Sequence, residues 1–275
     1  MRTLISALLS LALGVSASAG EKTTKILLIG KDRDHAFSQH EYMADCGILA
    51  KCLKQTADVE ATVSQGWPRD QALLKDVKAI VFNTRMGGEV LFDPLVAAQG
   101  EQLLKQGVGI IAIHWGTGAE KKNGERWLNA LGGWFNHPLH SEYHVDTTML
   151  EQAEPKHPIC NGWKEFKLRE EYYIKLKFLP DAKTILKANV KAKGVAKEYP
   201  VAWVYERPDG GRSFGFVGGH FHDNFGIKEF RQAIVNGILW SARVEVPAEG
   251  APVAITEKDM ILPPDERKAK GKEKK

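Results

Sequence analysis

Histidine is where the chemistry of this chain concentrates. Eight of its nine histidines, all but His157, fall in a few short segments. His35, His40 and Glu41 come after the apolar run 25–30. His114-Trp115-Gly116 ends the run 108–113, and Gly218-Gly219-His220-Phe221-His222 ends the run 212–217. A further apolar run, 78–82, ends in Asn83-Thr84-Arg85. Residues 136–144 add His137, His140 and His144 beside Glu142. Imidazole changes charge near neutral pH and is the commonest metal ligand. It suits zinc, iron or nickel, and a glutamate adds a hard oxygen that also suits manganese. Two chemistries follow: a divalent metal centre (zinc, manganese, nickel or iron), or neutral histidines acting as acid, base and hydrogen-bond donor. No compact ligand motif such as His-Glu-x-x-His is present, so either site has to be assembled from distant segments.

Other residues near these segments complete the candidate set. His220 and His222 are two apart, and only one of them is expected to reach the crevice unless the strand has already ended there. Trp115 and Trp134 offer flat faces suited to sugar rings, although tryptophan also fills cores. Glu170 and Glu171 precede Tyr172-Tyr173, and one of the two acids is expected to point inward. Glycosidase chemistry of the ordinary kind needs two opposed carboxylates. Glu41 and Glu170 are the candidates, and nothing in the sequence places them together.

The elements that must position these groups are legible from periodicity. Runs 25–30, 78–83, 108–113 and 212–217 read as buried strands, and 59–63 as an alternating strand. Helical spacing covers 41–54, and short helices are expected at 68–74 and 124–131. A helix capped by Asp93-Pro94 runs to about 106, and another covers 227–242. Apolar strands alternating with helices predict a mostly parallel sheet covered on both faces, an α/β class. Between 142 and 204 the pattern changes to shorter runs (143–147, 171–175, 184–187 and 201–204), read as extra, partly antiparallel strands. From Pro247 the chain turns Pro-rich and charged, read as an extended tail.

Charge and composition bound the rest. The chain has 275 residues, 43% hydrophobic and 26% charged, with net charge +4. This is a globular balance that excludes collagen-like, coiled-coil and disordered classes. The basic excess sits in the last nine residues, which hold six Lys/Arg against one Glu. Without them the body is slightly acidic, which speaks against nucleic-acid binding. Residues 1–19 combine Arg2, an apolar run and Ser16-Ala17-Ser18-Ala19, the parts of a secretory signal. The mature chain is thus expected to be exported, to the periplasm or beyond. Its domains are then 1–19 signal, 20–246 α/β body and 247–275 basic tail. No apolar run outside the signal is long enough to span a membrane, and no nucleotide cofactor is indicated. Cys46, Cys52 and Cys160 cannot all pair with one another. Cys46 and Cys52 are expected as packed thiols, with a bridge to Cys160 left open.

Taken in order, these segments resemble the ThuA-like (trehalose utilisation) family. The segments are Gly30, His40-Glu41, Ile113-His114-Trp115-Gly116, Phe135-Asn136-His137-Pro138, His157-Pro158-Ile159 with Gly162, Phe166 with Glu170 and Tyr172, and Gly218-Gly219-His220. The resemblance spans about 24–243. It implies a flavodoxin-like fold related to class I glutamine amidotransferases, a three-layer sandwich with a mostly parallel central sheet and extra antiparallel strands. In that superfamily a cysteine nucleophile occupies a sharp turn after a central strand. His114 stands at the matching position, so thiolate chemistry is unavailable there. The family context implies carbohydrate metabolism, and hence cleavage or isomerisation of an oxidised (keto) sugar or glycoside. On that reading His40, His114 and His220 are metal ligands, and His114, His220, Glu170 and His144 form the catalytic set. Trp115, Asn83, Arg85, Tyr172 and His222 line the substrate. The alternatives are a non-catalytic sugar-binding protein of the same fold and a partner-binding domain that uses the basic tail.

Overall fold

A computed structural model describes residues 23–264. The signal segment 1–19 and the basic end 267–275 lie outside the described residues. Eleven strands are present there: β1 (Thr24–Gly30), β2 (Val59–Gln65), β3 (Val77–Phe82), β4 (Gly109–Ile113), β5 (Gly133–Trp134), β6 (Glu142–Gln152), β7 (Phe166–Ile174), β8 (Lys177–Phe178), β9 (Lys183–Ala192), β10 (Val195–Glu206) and β11 (Arg212–Phe216). Five α-helices accompany them: α1 (Tyr42–Leu53), α2 (Gly87–Leu91), α3 (Ala97–Lys105), α4 (Lys121–Leu131) and α5 (Lys228–Ser241).

Nine strands form one sheet in the order β2-β1-β3-β4-β11-β10-β9-β6-β7. The first five are parallel to one another, and the remaining four join antiparallel. The parallel part has the 2-1-3-4-5 order of flavodoxin-like sheets, in which ligands gather beyond the carboxyl ends of the strands. Ile26–Ile29 in β1, Ala79–Phe82 in β3 and all of β4 are buried, as runs without alternation require when helices cover both faces. α5 packs against β11, β4 and β3 and against α1, while α4 packs against β4 and β11 and against α2. The three-layer α/β expectation is met.

β7 is the last strand in the order, yet Tyr173 and Glu170 on it reach residues that follow β4 and β11. The antiparallel half therefore curls back over the carboxyl ends of the parallel half and closes the crevice.

Three local expectations differ from the structure. The helix expected from Asp93 begins only at Ala97: the Asp93 carboxylate accepts the Leu95 N–H and its carbonyl accepts Val96 and Ala97, which makes a tight turn first. The middle strands are longer than their apolar runs, because β9 and β10 continue into a lysine-rich hairpin that the hydrophobic pattern does not mark. The described part of the tail, 247–264, is irregular apart from one short helical turn, Glu257–Met260, but it is packed. Ala251 and Val253 are buried, and Asn236, Gln232 and Arg231 of α5 bond its backbone. Buried polar side chains on a helix need such partners. The three cysteines are free and buried. No helix among the described residues is long and apolar enough to cross a membrane.

Candidate active site

Four segments bring ligating atoms together beyond the strand ends. His40 lies in the loop after β1, His114 directly follows β4, His220 follows β11, and Glu171 projects from β7. His40 and His114 both have left-handed backbones, with φ of 51° and 50°. Such conformations cost non-glycine residues about 1–3 kcal/mol each and persist only where the surroundings enforce them. At His114 the surroundings are tight. A Cβ on Gly116 would stand 2.1 Å from the Phe82 carbonyl oxygen, so only glycine lets the turn press against β3.

His40 Nε2 lies 3.0 Å from His114 Nε2 and 2.9 Å from His220 Nδ1, and the latter two are 3.3 Å apart. Glu171 Oε2 is 3.4 Å from His114 Nε2 and 3.3 Å from His220 Nδ1. Four atoms held tetrahedrally at about 2.0–2.1 Å from a zinc ion stand about 3.3 Å from one another.

The opposite ring nitrogens fix the tautomers. His114 Nδ1 is 2.7 Å from the Val217 carbonyl oxygen, and His40 Nδ1 is 3.1 Å from the Asp34 carboxylate. Both partners accept, so both Nδ1 atoms carry hydrogen and, in neutral rings, both Nε2 atoms present bare lone pairs. Two bare nitrogens 3.0 Å apart make no hydrogen bond with each other, and a cation bound by both would satisfy them. Donation of the remote imidazole N–H to a carboxylate and a carbonyl is the usual support of ligating histidines.

Electrostatics agree with this arrangement. Burial pushes the His40 ring down to about 3 against the pull of Asp34, and the neighbouring histidines push the same way. Burial alone would raise Glu171, but the neighbouring His114 and His220 rings outweigh it and hold the carboxyl well below its usual range. Asp34 behaves likewise: burial opposes ionisation, while bonds to His40, His35 and Lys31 prevail. Tyr42 adds its hydroxyl to the same group, 2.8 Å from His40 Nδ1 and 3.3 Å from Asp34.

His40, His220 and Glu171 of the cluster form one wall of a cavity of about 460 Å³, within the range for small ligands, and His114 is buried behind them. His35, Trp115, His137, Phe135, Tyr143 and Tyr173 line the rest. The Arg85 guanidinium lies 4.8 Å from the centre of the Trp115 ring. A larger groove, about 700 Å³, lies at the opposite ends of the strands between Lys75, Gln102 and Arg243. It has no histidine, and no group of metal-ligating side chains lies there among the described residues.

Of the residues expected from sequence, His40, His220 and Trp115 line this cavity, His114 joins the two histidines from behind its wall, and Arg85 packs on Trp115. Five others do not reach it. Glu170 is fully buried and accepts N–H groups from Gly219 (2.8 Å), His220 (3.1 Å) and Glu171 (2.7 Å) and the Asn224 amide (2.9 Å). It anchors the His220 loop, and Glu171 is the acid that faces the histidines. Tyr172 shares the core face with Glu170 and donates to the Leu168 carbonyl. His144 stands opposite Tyr172 in the ladder, whereas Tyr143 and Tyr173 pair on the other face, toward the cavity. Side chains alternate along a strand, so His144 points away. His222 is bonded to Asp45 (2.6 Å) and the Met260 carbonyl, behind the site. Asn83 is buried and donates to the Tyr42 carbonyl. Sequence reasoning missed Asp34 and Tyr173. Strand alternation could have found Tyr173, but nothing marks Asp34 in its loop.

Comparison with known proteins agrees with this architecture. A ThuA-like protein from Bacteroides uniformis superposes with a TM-score of 0.60 at 18% identity, over 87% of this chain and 99% of its own. Two cytoplasmic proteins of Salmonella typhimurium follow. STM3548 has a TM-score of 0.55 at 13% identity, over 79% of this chain and 98% of its own. STM1381 has 0.53 at 17% identity, over 80% and 98%. At these identities the likeness speaks for the fold. No functionally curated protein matches the chain. The family model described as ThuA, trehalose utilisation, matches residues 25–241, which takes in every strand but the first residue of β1 and all four converging side chains, and the chain belongs to that family.

Proposed function

We propose that this chain is an exported, metal-dependent enzyme of carbohydrate metabolism that cleaves or isomerises an oxidised (keto) sugar or glycoside. Membership of a trehalose-utilisation family supports the carbohydrate part, and the signal-like segment 1–19 supports export. The observation that carries the metal part is the pair of Nε2 atoms on His40 and His114, 3.0 Å apart while both Nδ1 atoms are tied to acceptors. His40, His114, His220 and Glu171 would hold the ion, and their mix of imidazole and carboxylate suits zinc, manganese, iron or nickel. A divalent ion there supplies Lewis acidity toward a carbonyl oxygen.

The chain's own residues account for the rest. Trp115, Phe135 and Tyr143 give the cavity apolar faces for a sugar ring. His35, with Nδ1 2.9 Å from Asp34 Oδ1, is the titratable group placed to take a proton from the carbon beside a keto group. Departure of a glycosidic oxygen from the next carbon, with a proton delivered to it, completes an elimination without net oxidation. Glu170 and His144 drop out as acid/base candidates, because neither reaches the cavity.

Metal content of the purified mature protein, measured by elemental mass spectrometry, tests the reading. Near-stoichiometric metal in the wild type, lost in His114→Ala, His220→Ala and Glu171→Gln, is expected. A wild type that takes up neither zinc, manganese, nickel nor iron would sink it and leave a sugar-binding protein.

A further inference from the structure

Tyr173 donates its hydroxyl hydrogen to His114 Nε2 at 3.0 Å. That nitrogen is also the atom which, in the reading above, binds the ion. His114 has one lone pair there, because Nδ1 is committed to the Val217 carbonyl. The Tyr173 bond and a metal bond therefore compete for one lone pair. The phenol is buried, it lines the cavity, and its ring is fixed between Phe135 (centroids 3.8 Å apart, planes at 9°) and His114 (4.4 Å, 25°). It cannot swing to solvent when it loses its acceptor.

We propose that Tyr173 is a metal-gated hydrogen-bond donor to the substrate. With His114 Nε2 free, the hydroxyl is spent on the ring. With that lone pair committed to a cation, the same hydroxyl is released toward the cavity, where it donates to the oxygen of a bound sugar on which negative charge develops. The inference rests on the metal reading and adds to it the group that completes the oxyanion-stabilising set. Preorganised donors of this kind are effective because the protein has already oriented them. The hydroxyl stays protonated throughout, so no proton inventory changes.

The test is zinc affinity of the full mature chain, measured by competition with a chromophoric chelator for wild type, Tyr173→Phe and His114→Ala. Phenylalanine keeps both ring stacks and has no hydrogen bond to forfeit. Its affinity should rise about three- to ten-fold, the equivalent of one neutral hydrogen bond. A fall of ten-fold or more would make the phenol oxygen a ligand, and equal affinities would mean that the hydroxyl does not compete. Either result overturns the proposal. If neither wild type nor Tyr173→Phe binds zinc, the metal reading falls, and this one with it. On the zinc-loaded protein with methyl 3-keto-glucoside, Tyr173→Phe should lower kcat about 100-fold with KM changed less than about three-fold; an unchanged kcat overturns the donor role. If the zinc shift is as expected but the wild type neither binds nor converts that probe, the gate stands and the substrate class of the earlier reading is refuted.

Discussion

Replacing Glu170 by glutamine removes one oxygen's worth of charge and almost no volume, yet the structure makes it a severe change. The carboxylate is surrounded by donors alone. Oε1 accepts the N–H groups of Glu171 and His220, and Oε2 accepts the Gly219 N–H and the Asn224 amide. Burial pushes the carboxyl up, but a protonated acid would aim its hydrogen at one of these N–H groups, so the geometry holds the ionised form. In Glu170→Gln the new NH₂ must face either the Oε1 pair or the Oε2 pair. Two buried donors lose their acceptor whichever way the amide turns. At roughly 1–3 kcal/mol per orphaned buried group the cost is about 2–6 kcal/mol, a large share of a typical domain's 5–15 kcal/mol. Urea unfolding in the presence of a chelator, followed by circular dichroism, isolates this from any metal contribution. Asn224→Ala, which removes one donor and leaves the carboxylate three, should cost about 1–2 kcal/mol. If Glu170→Gln lies within about 0.5 kcal/mol of wild type, the anchor role assigned to Glu170 is wrong, and its burial needs another explanation.

Other outcomes follow from the same geometry. Asp34→Asn leaves every ligand in place but weakens the hold on the His40 tautomer, so zinc affinity should fall about 10- to 100-fold in a chelator competition. His144→Ala, altered on the far face of β6, should leave metal content and zinc affinity unchanged; a loss of metal would refute the placement of that face. The Asp45–His222 pair links stability to pH. Burial raises Asp45 to about 6 despite His222, and the Asp45 bond outweighs burial to raise His222. Both raised values mean that the folded state holds these two protons more tightly than the unfolded chain, so the pair's contribution to stability declines as pH rises, first up to about 6 for Asp45 and then above 6.5 for His222. His40, whose lowered value works in the opposite sense, is common to both proteins, so the test is a difference: in metal-free protein the urea-midpoint advantage of wild type over His222→Asn should shrink as pH rises above 6.5.

Much of the architecture could be read in advance because a buried parallel strand leaves a plain mark. Residues 25–30, 78–82 and 108–113 are apolar without alternation, and the histidines beyond the first and third of these, with those beyond 212–217, point to one crevice. The antiparallel half was harder. β6 carries Tyr143, Val145 and Met149 on its exposed face, so hydrophobicity does not separate inside from outside there, and His144 looked as eligible as Tyr143. The choice between Glu170 and Glu171 was legible in principle. Leu168 and Tyr172 define the core face of β7, which places Glu170 with them and Glu171 with Tyr173. What misleads is the expectation that a buried acid is the working one: here it is buried because its donors are backbone groups of the turn it supports. Asp34 had no signal at all, since a carboxylate in a polar loop acquires meaning only from the histidines that fold onto it.

The four converging side chains are far apart in the chain; His40 and His220 alone are separated by 180 positions. No fragment shorter than most of the body can present them together, so capture of an ion reports that translation, folding and closure of β7 are all complete. A ligand that recognises only the finished state stabilises it by mass action, by about 4 kcal/mol at a thousand times its dissociation constant. If the chain is exported and binds an ion as proposed, the ion would then act as an inspection step: correctly closed molecules would be locked against proteases, while misfolded or truncated ones, which cannot assemble the cage, would stay open to degradation.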